Sequence, residues 1–139
     1  MAKRVFVDTN PFIYLLGEIE PYYNKVAKFL SDSIKDDCEF YTSTITDAEI
    51  LSKLYIDNDF DNIEKYKKYL EQLEFLKCYI NENVAQRAAE LRAKYSGIKL
   101  PDALQLAAGI ECACDVFLTN DKQLRQVQEA NVLYLADLD

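Results

Sequence analysis

The sequence predicts an α/β fold: one domain over residues 1–139, with a five-stranded parallel sheet flanked by helices as an α/β/α sandwich. Three observations predict it. Short apolar runs rich in β-branched and aromatic residues alternate with longer segments whose apolar residues recur at helical spacing, as in parallel strands joined by right-handed crossovers. Half of the 139 residues are hydrophobic, enough for a real core, with neither an internal repeat nor a boundary. Glycine and proline number only 3 each, which leaves no room for a linker.

The elements follow in order. Arg4–Val7 is a buried strand. Asn10 and Pro11 read as N-cap and first position of a helix running to Gly17. Pro21 opens a second helix carrying Val26, Phe29, Leu30 and Ile34 on one stripe. Residues 38–43 form the second strand, and Thr46-Asp47-Ala48-Glu49 reads as a capping box that starts a helix through Ile50, Leu51 and Leu54. An amphipathic helix spans residues 61–73, and a third strand covers 75–80. Asn81 caps the next helix, with Gly97 as its left-handed stop. Pro101 begins a helix that is apolar nearly all round and therefore buried. Val116–Thr119 and residues 132–135 complete the strands.

Composition narrows the chemistry. There is no histidine, which removes Ser-His-Asp and Cys-His nucleophile systems and histidine-bearing zinc sites. Carboxylates, lysines, tyrosines or metal-bound water must do any acid–base work. The 24 acids against 16 bases give a net charge of −8, which argues against a passive nucleic-acid coat but not against an enzyme whose acids hold cations. No apolar run approaches the roughly 20 residues of a membrane helix, and Asp8 interrupts the N-terminal one, so a cytoplasmic protein is expected. The cysteines Cys38, Cys78, Cys112 and Cys114 lack zinc or thioredoxin spacing and are expected to be reduced, packed as small hydrophobes.

Four acids stand at junctions where a parallel sheet gathers its ligands, beyond the carboxyl ends of the strands. Asp8 follows Val5-Phe6-Val7, Glu49 follows the second strand, Asp102 follows Leu100-Pro101, and Asp121 closes the fourth strand. Each has a local alternative. Asp8 suits a turn, Glu49 a capping box, and Asp102 and Asp121 a helix first turn. Together they form a set of hard oxygen donors that repel one another unless a cation such as Mg²⁺ or Mn²⁺ neutralises them. Lys99 and Lys122 flank two of the acids, and Lys65-Tyr66-Lys67-Lys68-Tyr69 mixes basic and aromatic residues. Both groups read first as solvated lysines and packed tyrosines, ahead of an RNA-contacting role. Tyr22, Tyr23, Tyr55, Tyr66 and Tyr69 supply more aromatic surface than one small core buries, which suggests a homodimer through the amphipathic helices.

The segments Val7-Asp8-Thr9-Asn10, Thr46-Asp47-Ala48-Glu49, Leu100–Ala107 and Leu118-Thr119-Asn120-Asp121, in that order and spacing, resemble the PIN-domain family, and within it the prokaryotic VapC-type toxins. The resemblance spans essentially the whole chain. It implies a PIN-like fold and Mg²⁺- or Mn²⁺-dependent endoribonuclease activity, with RNA as substrate and a small antitoxin protein as partner. It also implies that Asp8, Glu49, Asp102 and Asp121 are the catalytic and metal-ligating residues, supported by the polar Thr9, Asn10, Thr119 and Asn120. Asp8 and Asp102 would be direct ligands, Asp121 would complete the cage, and Glu49 would hold a second cation or orient water. Gln105 occupies a position where relatives vary. Two alternatives are kept: a catalytically silent PIN-fold binding protein, which would retain the same residues, and, behind it, a metal-dependent phosphatase. A haloacid-dehalogenase-like phosphatase wants an acid where Asn10 stands and a receiver module wants paired acids after the first strand, and neither pattern is present.

Overall fold

The computed structural model describes residues 1–139. Five strands, β1 (Arg4–Val7), β2 (Glu39–Ser43), β3 (Leu76–Cys78), β4 (Val116–Thr119) and β5 (Val132–Tyr134), form one sheet in the order β3-β2-β1-β4-β5. Every pairing is parallel, with Val5 opposite both Phe40 and Val116. The first strand thus lies at the centre of the sheet.

Alternation along the strands explains why both faces are covered. Val5 and Val7 join Phe40 and Leu118 in a core against α1 (Thr9–Gly17), α2 (Tyr22–Lys35), α3 (Thr44–Ile56) and α4 (Phe60–Gln72). Phe6 points the other way, joining Tyr41 and Phe117 beneath α5 (Glu82–Lys94) and α6 (Leu100–Glu111). Helix α6 lies close on the sheet because Gly109 has no Cβ, which would stand 3.3 Å from Phe117 and 3.4 Å from Phe6. Those two rings stack at 4.9 Å. No helix is long and apolar enough to cross a membrane.

Two helix starts differ from the sequence expectation. Helix α1 begins at Thr9, with Asp8 as its N-cap in place of Asn10, because β1 runs into the helix without a turn. Helix α3 begins at Thr44, capped by Ser43, whose Oγ accepts the Ile45 N–H at 3.0 Å. Thr46 and Glu49 therefore lie inside the helix, and the expected capping box does not form. Gly97 takes a left-handed φ of 82°, but α5 ends at Lys94, so the glycine turns the chain toward α6.

Five helices stop in the same way. Glu18, Asp37, Asn58, Glu74 and Ala113 have φ between 50° and 56°. In all five the next residue donates to the carbonyl five positions back, as Ile19 does to Tyr14 and Cys38 to Ser33, both at 3.0 Å, and Cys114 to Gly109 at 2.9 Å. This is the Schellman arrangement, built here without glycine.

The cysteine expectation is corrected at one pair. Cys78 and Cys112 are joined as a disulfide, with Cα atoms 6.3 Å apart at a sequence separation of 34. The sheet and α6 bring them together, which local spacing does not reveal. Cys38 and Cys114 are free, and burial pushes the Cys114 thiol up to about 12.

The tyrosine surplus is largely absorbed. Tyr66 is 1 % exposed, and Tyr22, Tyr23 and Tyr69 pack against the first core, whereas Tyr55 is 54 % exposed. Of the lysines beside Tyr66, Lys67 and Lys68 are exposed and Lys65 is partly buried.

Candidate functional site

Asp8 directly follows β1, the central strand of the sheet, and is 4 % exposed. Three donors hold its carboxylate. Oδ1 accepts from the Thr9 backbone N–H at 2.8 Å and from Gln105 Nε2 at 3.1 Å. Oδ2 accepts from Thr119 Oγ1 at 2.7 Å. The neighbouring strand thus supplies Thr119, and α6, lying over the sheet, supplies Gln105.

The other three acids arrive from different elements. Asp102 stands half-buried in the first turn of α6. Asp121 follows β4 and caps a short 3₁₀ helix, accepting the Gln123 N–H at 3.0 Å, while its own N–H donates to Thr119 Oγ1 at 3.1 Å. Glu49, exposed on α3, accepts from Thr9 Oγ1 at 2.6 Å. Thr9 and Thr119 therefore touch the carboxylates. Asn10 and Asn120 do not. Asn10 Oδ1 accepts the Asn120 N–H at 2.9 Å, Asn120 Nδ2 donates to Tyr14 at 2.8 Å, and Asn120 Oδ1 accepts the Ala136 N–H at 3.1 Å. These two asparagines fasten α1 and the C-terminal segment to the end of β4.

Electrostatics join the four acids. Burial pushes the Asp8 carboxyl from an ordinary 3.8 up to about 6, against the lowering effect of its hydrogen bonds, and the Glu49 charge adds to the rise. Asp102 also rises to about 6, first through desolvation and then through the charges of Asp8, Asp121 and Glu49. Lys99 alone opposes this. No three of the carboxylates close into a ready-made cage. Partly dehydrated like charges keep their distance. The donor set nevertheless fits a hard divalent cation: it is all oxygen, and its negative charge exceeds what one lysine offsets.

Sequence reasoning missed a polar floor beneath these acids, made by Thr42, Ser43, Thr46 and Gln105, each no more than 1 % exposed. Its signal was present. A glutamine interrupts the apolar Leu104–Ala108 stretch, and hydroxyls replace hydrophobes at the end of a buried strand. Asp47, in contrast, stays out of the site, since it accepts from Tyr66 at 2.7 Å and pairs with Lys77 at 2.7 Å.

The family model described as PIN domain matches residues 5–130. No curated protein matches the chain. Among solved structures, the VapBC2 complex of Rickettsia felis bound to a promoter DNA fragment contains a similar chain. Its TM-score is 0.74 at 16 % identity, covering 94 % of this chain and 98 % of that one. VapBC-1 of nontypeable Haemophilus influenzae gives 0.75 at 17 % identity, covering 96 % and 99 %. A toxin–antitoxin complex of Klebsiella pneumoniae gives 0.73 at 21 % identity, covering 94 % and 97 %.

Proposed function

Because the chain belongs to the PIN-domain family, we propose that it is a Mg²⁺- or Mn²⁺-dependent endoribonuclease of the VapC type, the toxin of a toxin–antitoxin pair. The observation that carries this reading is the buried Asp8, held by three donors and facing the charges of Asp102, Asp121 and Glu49. In this reading Asp8 and Asp102 bind the cation directly, Asp121 completes the site, and Glu49 orients the attacking water or holds a second ion. A divalent cation bound there supplies Lewis acidity, activating water and shielding charge on the phosphodiester.

The chain's own residues do the rest. Thr119, Gln105 and the Thr9 N–H spend donors on Asp8 so that its carboxylate points one way. Thr9 fixes the exposed Glu49 near it. Lys99 offers a cation beside Asp102 where a backbone phosphate would otherwise meet only acids. The reading also includes a cytoplasmic setting, a small antitoxin partner and a homodimer. With four of the five tyrosines packed inward, the support for a dimer now comes from exposed Tyr55, Ile56 and Phe60 at the junction of α3 and α4.

Cleavage of a mixed RNA pool in Mg²⁺, Mn²⁺ or EDTA tests the activity. Wild type is expected to cut only with a divalent cation. Asp8→Asn and Asp102→Asn should each lose on the order of 100-fold or more while remaining folded. Glu49→Gln, which still accepts from Thr9, should lose less. Equal cleavage in EDTA, or an undiminished Asp102→Asn, overturns the mechanism. Silence of the wild type under every condition favours the non-catalytic binding protein.

A further inference from the structure

We propose that Gln105 is a positioning residue whose amide holds Asp8 and, through Thr9, Glu49 in the orientation that receives a divalent cation. The inference rests on the metal-dependent reading above and assigns to that site a residue outside its four acids.

Gln105 is 1 % exposed in a helix otherwise packed with alanine and leucine. A buried amide in such surroundings is costly unless every polar atom is bonded. Here all are. Nε2 reaches Thr46 Oγ1 at 2.7 Å, Asp8 Oδ1 at 3.1 Å and Thr9 Oγ1 at 3.2 Å. Oε1 accepts from the Ser43 hydroxyl. With two N–H groups and three acceptors, the two longer contacts share one proton.

The protons have one consistent arrangement. Thr42 donates to the Val7 carbonyl at 2.8 Å, because a carbonyl cannot donate. Thr46, 2.9 Å from Thr42, must then donate to Thr42 and accept from Gln105. Ser43 Oγ already accepts the Ile45 N–H, so its own proton goes to Gln105 Oε1. Thr9 gives its proton to Glu49 at 2.6 Å and can only accept from Gln105. This chain of single choices forbids flipping the amide. It also keeps the Gln105 N–H groups on Asp8 and Thr9, while Thr9 donates to Glu49. The two carboxylates, 41 residues apart, are thereby bonded into one network through a side chain on a third element.

Partners behind metal ligands typically change affinity by about 10–100-fold when removed. Mn²⁺ binding, measured directly by isothermal titration on folded protein, tests the role without any cleavage assay. Gln105→Met keeps the shape and deletes every bond, and its dissociation constant for Mn²⁺ is expected to rise about tenfold. Gln105→Asn keeps the amide but is one methylene too short to span Ser43 and Asp8, and should fall between Met and wild type. Leu91→Ala, a core truncation in α5, should lower the melting temperature and leave Mn²⁺ affinity unchanged. A Gln105→Met constant within twofold of wild type overturns the proposal. If that variant does not fold, Gln105→Asn decides by the same criterion. A wild type that binds no Mn²⁺ removes the metal reading and this inference together, whereas normal wild-type binding with an unaffected variant removes only the inference.

Discussion

At the scale of a residue, Asp8 shows how a site can oppose the fold that carries it. Its carboxyl is raised from 3.8 to about 6, chiefly by burial. Between roughly pH 4 and pH 6 the native state therefore keeps a proton that the unfolded chain has released, so in EDTA stability falls as pH rises through that window. A shift of this size amounts to about 3 kcal/mol lost by pH 7. Asp102 acts in the same direction, with a smaller effect because it is only half-buried. Urea unfolding in EDTA at pH 4.5 and 7.5 should show wild type weaker at the higher pH. Asp8→Asn should lessen that difference and be the more stable protein at pH 7.5. Its carbonyl can still accept from Thr9 and Gln105 while its amide faces Thr119. With Mn²⁺ the dependence reverses, because the ion competes with protons: the Mn²⁺-induced rise in melting temperature should be larger at pH 7.5 than at 5.5. Asp8, Asp102 and Asp121 stood out in the sequence because each closes an apolar run or opens a helix, whereas Glu49 stood out through a capping box that does not form. Gln105 was not, since its partners Ser43 and Asp8 lie 62 and 97 residues away.

At the scale of an element, strands β1 and β4 match their sequence reading to the residue, because an uninterrupted apolar run in a sheet covered on both faces has sharp polar ends. The starts of α1 and α3 were misplaced for one shared reason. In both, the cap stands at the very end of the strand, Asp8 directly after β1 and Ser43 as the last residue of β2, so the polar residue that looks like a boundary marker lies inside the helix. Asp47 illustrates the consequence. Displaced from any capping role, it ties three elements together by accepting from Tyr66 on α4 at 2.7 Å and from Lys77 on β3 at 2.7 Å. Burial, with the nearby Asp47 carboxylate, holds the Tyr66 hydroxyl protonated. Tyr66→Phe should cost about 2 kcal/mol, the usual worth of a bond to a charged acceptor, with an unchanged denaturant slope. Asp47→Ala should cost more, since it strands a buried hydroxyl and frees Lys77. The RNA-cleaving rate should move with neither variant below its unfolding temperature.

At the scale of the whole molecule, a net charge of −8 means that RNA approaches an unfavourable field, and added monovalent salt should first assist productive encounter by screening it. Static light scattering at micromolar concentration should give twice the mass of the chain. Phe60→Asp, on the exposed apolar junction of α3 and α4, should return it to the monomer. The parallel architecture follows from alternating elements and was open to sequence reasoning, whereas the strand order was not read from them, nor was the Cys78–Cys112 link, which depends on how α6 lies across the sheet. The helix stops, finally, give the chain latent headroom. A side chain held at a left-handed φ costs about 1–2 kcal/mol, and glycine escapes that cost at the expense of greater freedom when unfolded. Glycine at Glu74 or Ala113 should each return about 0.5–1 kcal/mol as a higher melting temperature, and Asn58 less, since asparagine tolerates that conformation. Five such positions make a distributed reserve, so a lineage of this protein can accept costly changes around its carboxylates and recover the loss in single steps elsewhere along the chain.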